Sequence, residues 1–357
     1  MVFEKLQDMG HENVVFCHDR DTGLRAIIAV HDTTLGPALG GTRRWFYENE
    51  QAALMDVLRL SQAMTWKAAA ADLPMGGAKS VIMRTSRDEQ PTEALARAMG
   101  RMVDRLNGLY IAAEDVGVNT QFIDWMACET NHVMGGETVS RGGDPAPYTA
   151  RGVVNGIKAG LQAAGKPGSL EGVRIAIQGL GALGYNVLKI AKNEGADVVA
   201  AEMNTDRLQK AAEEFKIETV RLDEILTAEC EVLCPCALGA AINSDNIPNL
   251  RCTVLASGAN NVLANGAADA KALRERGVIY CPDFVVNGGG LIRLAGLYVG
   301  WSEDKINSQI RNIEPVTLAI LNQTDKHGDA HTAAIAYAEE RIRAGKGVAK
   351  SGKLQTA

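Results

Sequence analysis

The sequence predicts an α/β protein of two domains, and three observations predict it. The chain has 357 residues, more than one hydrophobic core usually serves. From residue 174 onward, short apolar runs alternate with helical patterns, the rhythm of a doubly wound parallel sheet. Between the halves, "SRGGDPAPYTARG" (residues 140–152) concentrates glycine and proline, and regular patterning stops there as it would at a hinge.

In the first half, "LRAIIAVHD" reads as a strand that ends in the turn-rich "TTLGPALGGTR". "ENEQAALMDVLRLSQAM" then places Leu54, Val57, Leu58 and Met64 near helical spacing, with Asp56 and Arg59 turned away. The following "PMGG" reads as a turn with almost no side chain of its own. A second helix follows Pro91, with Thr92 as N-cap and one apolar stripe of Leu95, Met99, Met102, Val103 and Leu106. In the second half "VRIAIQ" is a buried strand, "ALGYNVLKIAKNEG" a helix and "DVVAAE" another strand. Further strands are expected in "EVLCPCA", "TVLASGAN" and "GVIYCPDF". From about residue 302 the pattern is mostly helical and fades into the basic tail "AGKGVAKSGKLQTA".

Composition narrows the function. Apolar residues are 46% and charged residues 22%, which is ordinary globular chemistry. A net charge of -6 gives no basic footprint for nucleic acid. No apolar run approaches the length of a membrane span, and the start does not read as a signal peptide. Seven scattered cysteines fit reduced thiols in a cytoplasm better than a disulfide framework. Cys234 and Cys236 have the wrong spacing for a zinc half-site and read as small buried residues. His327 and His331 have i, i+4 spacing, but no acid or cysteine completes a metal set, so no metal is expected. His31 and His132 lack a local partner, and Trp66 reads as core packing.

"IAIQGLGALGYNV" supplies Gly179, Gly181 and Gly184 between a strand and a helix. The first glycine permits a tight turn, the second lets pyrophosphate reach the backbone, and the third lets helix pack on strand. Helix N-terminal amides then face the phosphates. The next strand ends at Glu202, about twenty residues on, where an acid holds the adenine ribose hydroxyls. The second half is therefore expected to be a Rossmann-type dinucleotide-binding domain. A carboxylate at that position repels a 2′-phosphate, so NAD is favoured over NADP, with Arg207 nearby to soften the preference.

"MTWKAAAADLPMGGAKS" and "YIAAEDVGVN" pose the question of substrate. Lys67, Lys79, Glu114 and Asp115 stand in unusually apolar or glycine-rich company. A lysine at a helix end is usually solvated, and an acid after a strand often caps the next helix. Their combination points elsewhere. A desolvated ammonium near a second cation loses its proton readily and becomes a base near neutral pH. One cation for a carboxylate, one poised amine and one acid to take a proton suit an amino-acid substrate.

At these residues the sequence resembles the NAD-dependent amino-acid dehydrogenases that act on glutamate, leucine, phenylalanine and valine, the leucine dehydrogenase type above all. The resemblance runs through "HDTTLGPALGGTR", "MTWKAAAADLPMGGAKS", "AAEDVG", "GLGALG", "CPCALGAAIN", "SGANN" and "CPDFVVNGGG". It implies that Lys79 is the catalytic lysine and Asp115 the acid that relays protons. It implies that Lys67 binds the substrate carboxylate, helped by a glycine turn at Gly40 and Gly41 and by Asn261. Leu39, Ala113, Leu291 and Leu294 are implied to face the substrate side chain. The dinucleotide would be held by Gly179, Leu180, Gly181, Ala182, Leu183, Gly184 and Glu202, with Thr149, Asn260 and Asn287. A homo-oligomer follows from the same resemblance, with an N-terminal substrate domain (1–147) to which 325–357 returns, an NAD domain (148–324), and a cleft between them. The chain departs from the family pattern at Glu202, where aspartate is common, at Gly288 of "NGGG", and at Arg293, which is expected to point outward.

The four apolar side-chain positions favour leucine, isoleucine or valine and disfavour glutamate, whose second carboxylate would go unpaired. Aromatic amino acids remain an alternative. A 2-hydroxy-acid dehydrogenase would share the fold but wants a histidine base and an arginine clamp. A non-catalytic nucleotide sensor would keep the glycines without needing the lysines.

Overall fold

The computed structural model describes residues 2–138, 142–237 and 239–349. The chain divides into two compact units. The first comprises Met1–Asp144, Arg293–Ser302 and Ala338–Ala357, and the second Pro145–Ile292 and Glu303–Tyr337. The expected division at 147/148 thus falls at 144/145. The returning piece differs too, because 293–302 joins the first unit and the C-terminal return begins at Ala338 rather than at 325.

The first unit begins with α1 (Val2–Met9), β1 (Asn13–Asp19), β2 (Leu24–Asp32) and β3 (Ala38–Trp45). It continues with α2 (Glu50–Ala70), β4 (Gly76–Met83), α3 (Glu93–Asp104), β5 (Tyr110–Glu114) and α4 (Thr120–Ala127). Among the described residues the strands form one sheet in the order β1-β2-β4-β3-β5. β2 is antiparallel to both neighbours, while β3 runs parallel to β4 and β5. Strand alternation divides the core. Ile27, Ala29 and Val81 pack under Ala53, Leu54, Val57 and Leu58 of α2, whereas Ile28, Ala78, Ile82 and Ala112 pack against α3 and α4. Asn49 caps α2 by accepting from the Ala52 amide, and Thr92 caps α3 by accepting from the Leu95 amide.

Two expectations change here. "TTLGPALGGTR" is not all turn: its second half is β3, so Gly40 and Gly41 lie inside a strand. "PMGG" likewise delivers Gly76 and Gly77 as the first residues of β4. These four glycines lack positive φ, so their role is closeness and not turning. A Cβ on Gly40 would sit 1.6 Å from the Ala78 carbonyl oxygen, and one on Gly77 would sit 2.0 Å from the Thr65 nitrogen of α2.

The second unit opens with α5 (Ala146–Ala163), β6 (Arg174–Gln178), α6 (Ala182–Asn193), β7 (Asp197–Ala201), α7 (Thr205–Phe215) and β8 (Glu218–Thr219). β9 (Val232–Pro235), β10 (Val254–Ala256), α8 (Gly266–Glu275), β11 (Ile279–Cys281) and α9 (Asp283–Val286) follow. Its described strands form a six-stranded parallel sheet, β11-β10-β9-β6-β7-β8. The chain leaves β6 toward one edge and returns to build β9–β11 toward the other. The switch point therefore lies between β6 and β9, beyond their carboxyl ends, where open α/β sheets bind ligands. The closing helices are α10 (Gly289–Tyr298), α11 (Glu303–Arg311), α12 (Ile313–Leu321), α13 (Thr324–His327) and α14 (Ala330–Ala349).

Helix therefore starts near 283, earlier than the 302 expected, and the end of the expected tail (350–357) lies outside the described residues. Of the expected hinge, 140 and 141 also lie outside them, and its last residues already belong to α5. His327 and His331 do not share a helix, because Gly328 at φ 90° ends α13 between them.

Candidate active site

Lys79 is carried by the middle of β4 and is only 6% exposed. Its Nζ lies 2.9 Å from Oδ2 of Asp115, the residue that follows β5. Nothing but backbone separates these two strands at that level. A Cβ on Gly41 of β3 would stand 3.0 Å from Lys79 Nζ, 2.8 Å from Asp115 Cβ and 2.6 Å from the Glu114 carbonyl oxygen. Gly41 is thus a floor across which the amine reaches the acid. Burial pushes the Lys79 ammonium below its ordinary pKa against the opposing pull of Asp115, and Arg43 pushes the same way as burial. For Asp115 burial would raise the carboxyl, but Lys79 and Arg43 outweigh it and hold the acid near 2.

Alternation places Leu39 and Gly41 of β3, Lys79 of β4 and Ala113 of β5 on one sheet face, the face that α2 covers. Leu39 is buried on β3, the strand next to the amine's, and Ala113 is buried one strand further on, where it pairs with Gly41. Lys67 is half-buried in the last turn of α2, the helix that meets β4 at Thr65 and Gly77. Gly40 belongs to the opposite side of the strand, where the Tyr110 hydroxyl donates to its carbonyl at 3.0 Å. Leu294 lies in the first unit and Leu291 and Asn261 in the second. Glu114 alternates away from Lys79. Its carboxyl is pushed up to about 7 by burial and then by Asp144, Glu137 and Asp124.

In the second unit the glycine fingerprint meets three different demands. Gly179 follows β6 at φ 90°, and a Cβ there would crowd Ala237 at 2.9 Å. Gly181 is the N-cap of α6, and a Cβ on it would meet nothing within 4 Å, so the space beside this residue is open to a ligand. Gly184 lies so close to the turn that a Cβ would be 1.9 Å from the Gly179 carbonyl oxygen. Leu180 is buried against the core, and Ala182 and Leu183 form the first turn of α6. Glu202 follows β7 and folds onto this loop, accepting from the Leu180 amide at 2.6 Å and the Asn204 amide at 2.9 Å. Burial opposes its charge, yet those amides and Arg207 prevail and keep the carboxyl below its ordinary range. A dinucleotide fits these residues: a helix N-terminus with open space beside Gly181 for pyrophosphate, and an acid held below its ordinary pKa next to it for ribose hydroxyls. Asn287 donates to the Asn260 side chain at 2.9 Å and to the Gly258 carbonyl at 3.3 Å. Asn261 adopts a left-handed conformation at φ 52°. The Thr149 hydroxyl donates to the Pro145 carbonyl within the first turn of α5.

Residues 11–132 match the Glu/Leu/Phe/Val dehydrogenase dimerisation domain, and residues 201–346 match the Glutamate/Leucine/Phenylalanine/Valine dehydrogenase domain. The leucine dehydrogenase of Bacillus subtilis is 42% identical over 96% of this chain and 94% of its own. The chain belongs to the Glu/Leu/Phe/Val dehydrogenase family. The L-tryptophan dehydrogenase of Nostoc punctiforme is a relative at 40% identity, covering 96% of each chain. A solved structure of an L-tryptophan dehydrogenase from that organism is similar at a TM-score of 0.86 and 39% identity, over 97% of this chain and 99% of that one. Family membership makes the protein an oxidoreductase on the CH–NH2 group of amino acids, in the branch that holds leucine, phenylalanine and tryptophan dehydrogenases. The family uses NAD(P).

The neighbours of Asp115 come from a strand and a helix distant in sequence and were not legible there. Asp56, expected to turn away, is half-buried and accepts from Arg43 Nη1 at 3.0 Å and from the Tyr47 hydroxyl at 2.7 Å. Arg43 also donates through Nε to Asp115 Oδ2 at 2.9 Å. The available signal was the i, i+2 step from Gly41 to Arg43, hidden once that stretch read as a turn. Arg293, expected to point outward, is half-buried with its Nε shielded from solvent. His31 and His132 do have partners, at long range: Thr65 at 2.8 Å and Met9 at 3.1 Å for the first, Tyr298 at 3.3 Å for the second. Among the described residues no group of metal-ligating side chains forms, and no helix is long and apolar enough to cross a membrane.

Proposed function

We propose that the protein catalyses the reversible, NAD-dependent oxidative deamination of an apolar L-amino acid, with leucine, isoleucine and valine favoured. One observation carries the reading: a buried lysine amine held 2.9 Å from an ionised aspartate over a side-chain-free glycine floor. Lys67 would grip the substrate carboxylate, and Asp115 would accept a proton from the substrate ammonium. The dinucleotide, when bound, supplies the hydride acceptor. Once the substrate is an imino acid, Lys79 takes a proton from the water that adds to the imine carbon. Asp115 then gives its proton to the nitrogen, the C–N bond breaks to release ammonia, and the hydroxyl proton passes to the Asp115 carboxylate as the carbonyl of the 2-oxo acid forms. Proton transfers of this kind contribute roughly 10²–10⁴-fold each.

Leu39 and Ala113, buried on the same sheet face as Lys79, support an apolar side chain; an unpaired second carboxylate there would cost several kcal/mol or more. The 40% identity to an L-tryptophan dehydrogenase supports a second reading, the same chemistry on aromatic amino acids. Glu202, kept ionised against the loop, supports NAD over NADP. Seven free thiols support a reducing, cytoplasmic setting. The family's dimerisation domain supports a homo-oligomer.

The test is NADH formation across a panel of L-amino acids and 2-hydroxy acids at fixed NAD, repeated with Lys79→Ala. Turnover on apolar amino acids, lost by about 10³-fold in the variant while NADH binding persists, is expected. Turnover on hydroxy acids alone, or a variant within severalfold of wild type, would remove the reading.

A further inference from the structure

Asp115 serves two cations through one oxygen. Oδ2 meets Lys79 Nζ and Arg43 Nε, each at 2.9 Å. The other end of the Arg43 guanidinium is taken by Asp56 Oδ2, which the Tyr47 hydroxyl also contacts. Strand alternation and the helix above the sheet produce this arrangement. Arg43 stands two residues beyond Gly41 on the same face of β3, and Asp56 is presented by α2, which covers that face. Arg43 and Asp115 side chains are about one-fifth exposed and Asp56 about one-quarter, so the ion pairs are poorly screened. A guanidinium offers donors at two edges in a fixed plane and can bridge two carboxylates, which a lysine amine does not reproduce.

We propose that Arg43 is a positioning residue for the deamination: gripped by Asp56, it holds the Asp115 carboxylate on Lys79. The inference rests on the deaminase reading of this site. Arg43 touches neither substrate nor cofactor in this scheme and acts through Asp115. The charged groups facing Lys79 are Asp115 after β5, Arg43 on β3 and Asp56 on α2. The two acids favour the charged lysine and Arg43 disfavours it, as like and opposite charges must. Removing Arg43 and removing Asp56 should therefore move the lysine's titration in opposite directions. A purely structural role predicts no such opposition.

The experiment compares wild type, Arg43→Gln, Asp56→Asn and Arg43→Lys by the pH profile of kcat/KM, and by NMR titration of Lys79, assigned through the signal lost in Lys79→Met. In Arg43→Gln the limb that rises as Lys79 loses its proton should move to higher pH, with kcat down about 10–100-fold through a misplaced Asp115. In Asp56→Asn the limb should move to lower pH. Arg43→Lys keeps the charge and loses the two-ended grip, so its titration should stay near wild type while kcat falls about tenfold. Titrations unchanged in Arg43→Gln and Asp56→Asn, or moved the same way in both, would overturn the proposal, as would full kcat in Arg43→Lys. A wild type inert on every amino acid would sink the deaminase reading alone, since the NMR titrations decide the role of Arg43 without turnover.

Discussion

Gly41 shows how much a single missing side chain can decide. The space its Cβ would fill belongs to Lys79 Nζ and Asp115. Gly41→Ala should lower kcat by about 10²-fold, well beyond what its loss of Tm explains, because the amine and the acid are driven apart; equal kcat in wild type and variant would contradict this. Glu114, one residue earlier, allows a signed pH prediction. Its carboxyl rises from an ordinary 4.5 to about 7 in the native protein, so between those values the folded state holds a proton that the unfolded chain has shed. That contribution to stability is complete below 4.5 and is lost as pH climbs through 7. Glu114→Gln should therefore match wild type at pH near 4 and exceed its Tm by about 3 °C at pH near 8, read by thermal denaturation across pH. A difference that does not vary with pH would refute it.

Elements respond according to what each glycine does for them. Gly181→Ala adds a methyl in open space at the N-terminus of α6, so Tm should hold while NADH affinity drops by about tenfold or more. Gly184→Ala forces α6 off the Gly179 carbonyl, so Tm itself should fall, by several degrees for a cost of about 1–3 kcal/mol. Calorimetry with NADH titration separates the two variants. The second unit was legible in the sequence because its signals are local: a strand, three spaced glycines, a helix and an acid at the end of the next strand. The first unit was legible in its helices and less so in β3 and β4, where glycines chosen for close approach look like glycines chosen for turns. Lys79 and Asp115 could be named from their surroundings, but Arg43 and Asp56 could not, because their meeting depends on α2 lying over the sheet. The partners of His31 and His132 were hidden for the same reason, each lying more than twenty residues away in sequence.

For the whole molecule, surface chemistry bears on assembly. Phe3 of α1 is 84% exposed and Phe16, on the edge strand β1, is 58% exposed. Exposed aromatic residues beside an open strand edge are liabilities that a partner relieves. Light scattering should return a mass that is a multiple of 38.0 kDa, and a monomer at micromolar concentration would count against the homo-oligomer. A last consequence belongs to the seam where β3, β4 and β5 meet. Main chain has no rotamers, so if the proposed reaction takes place on this seam, its bed has little to rearrange as reactants come and go. The entropy of ordering that bed is met once, during folding, and successive cycles of the proposed reaction would begin from the same geometry.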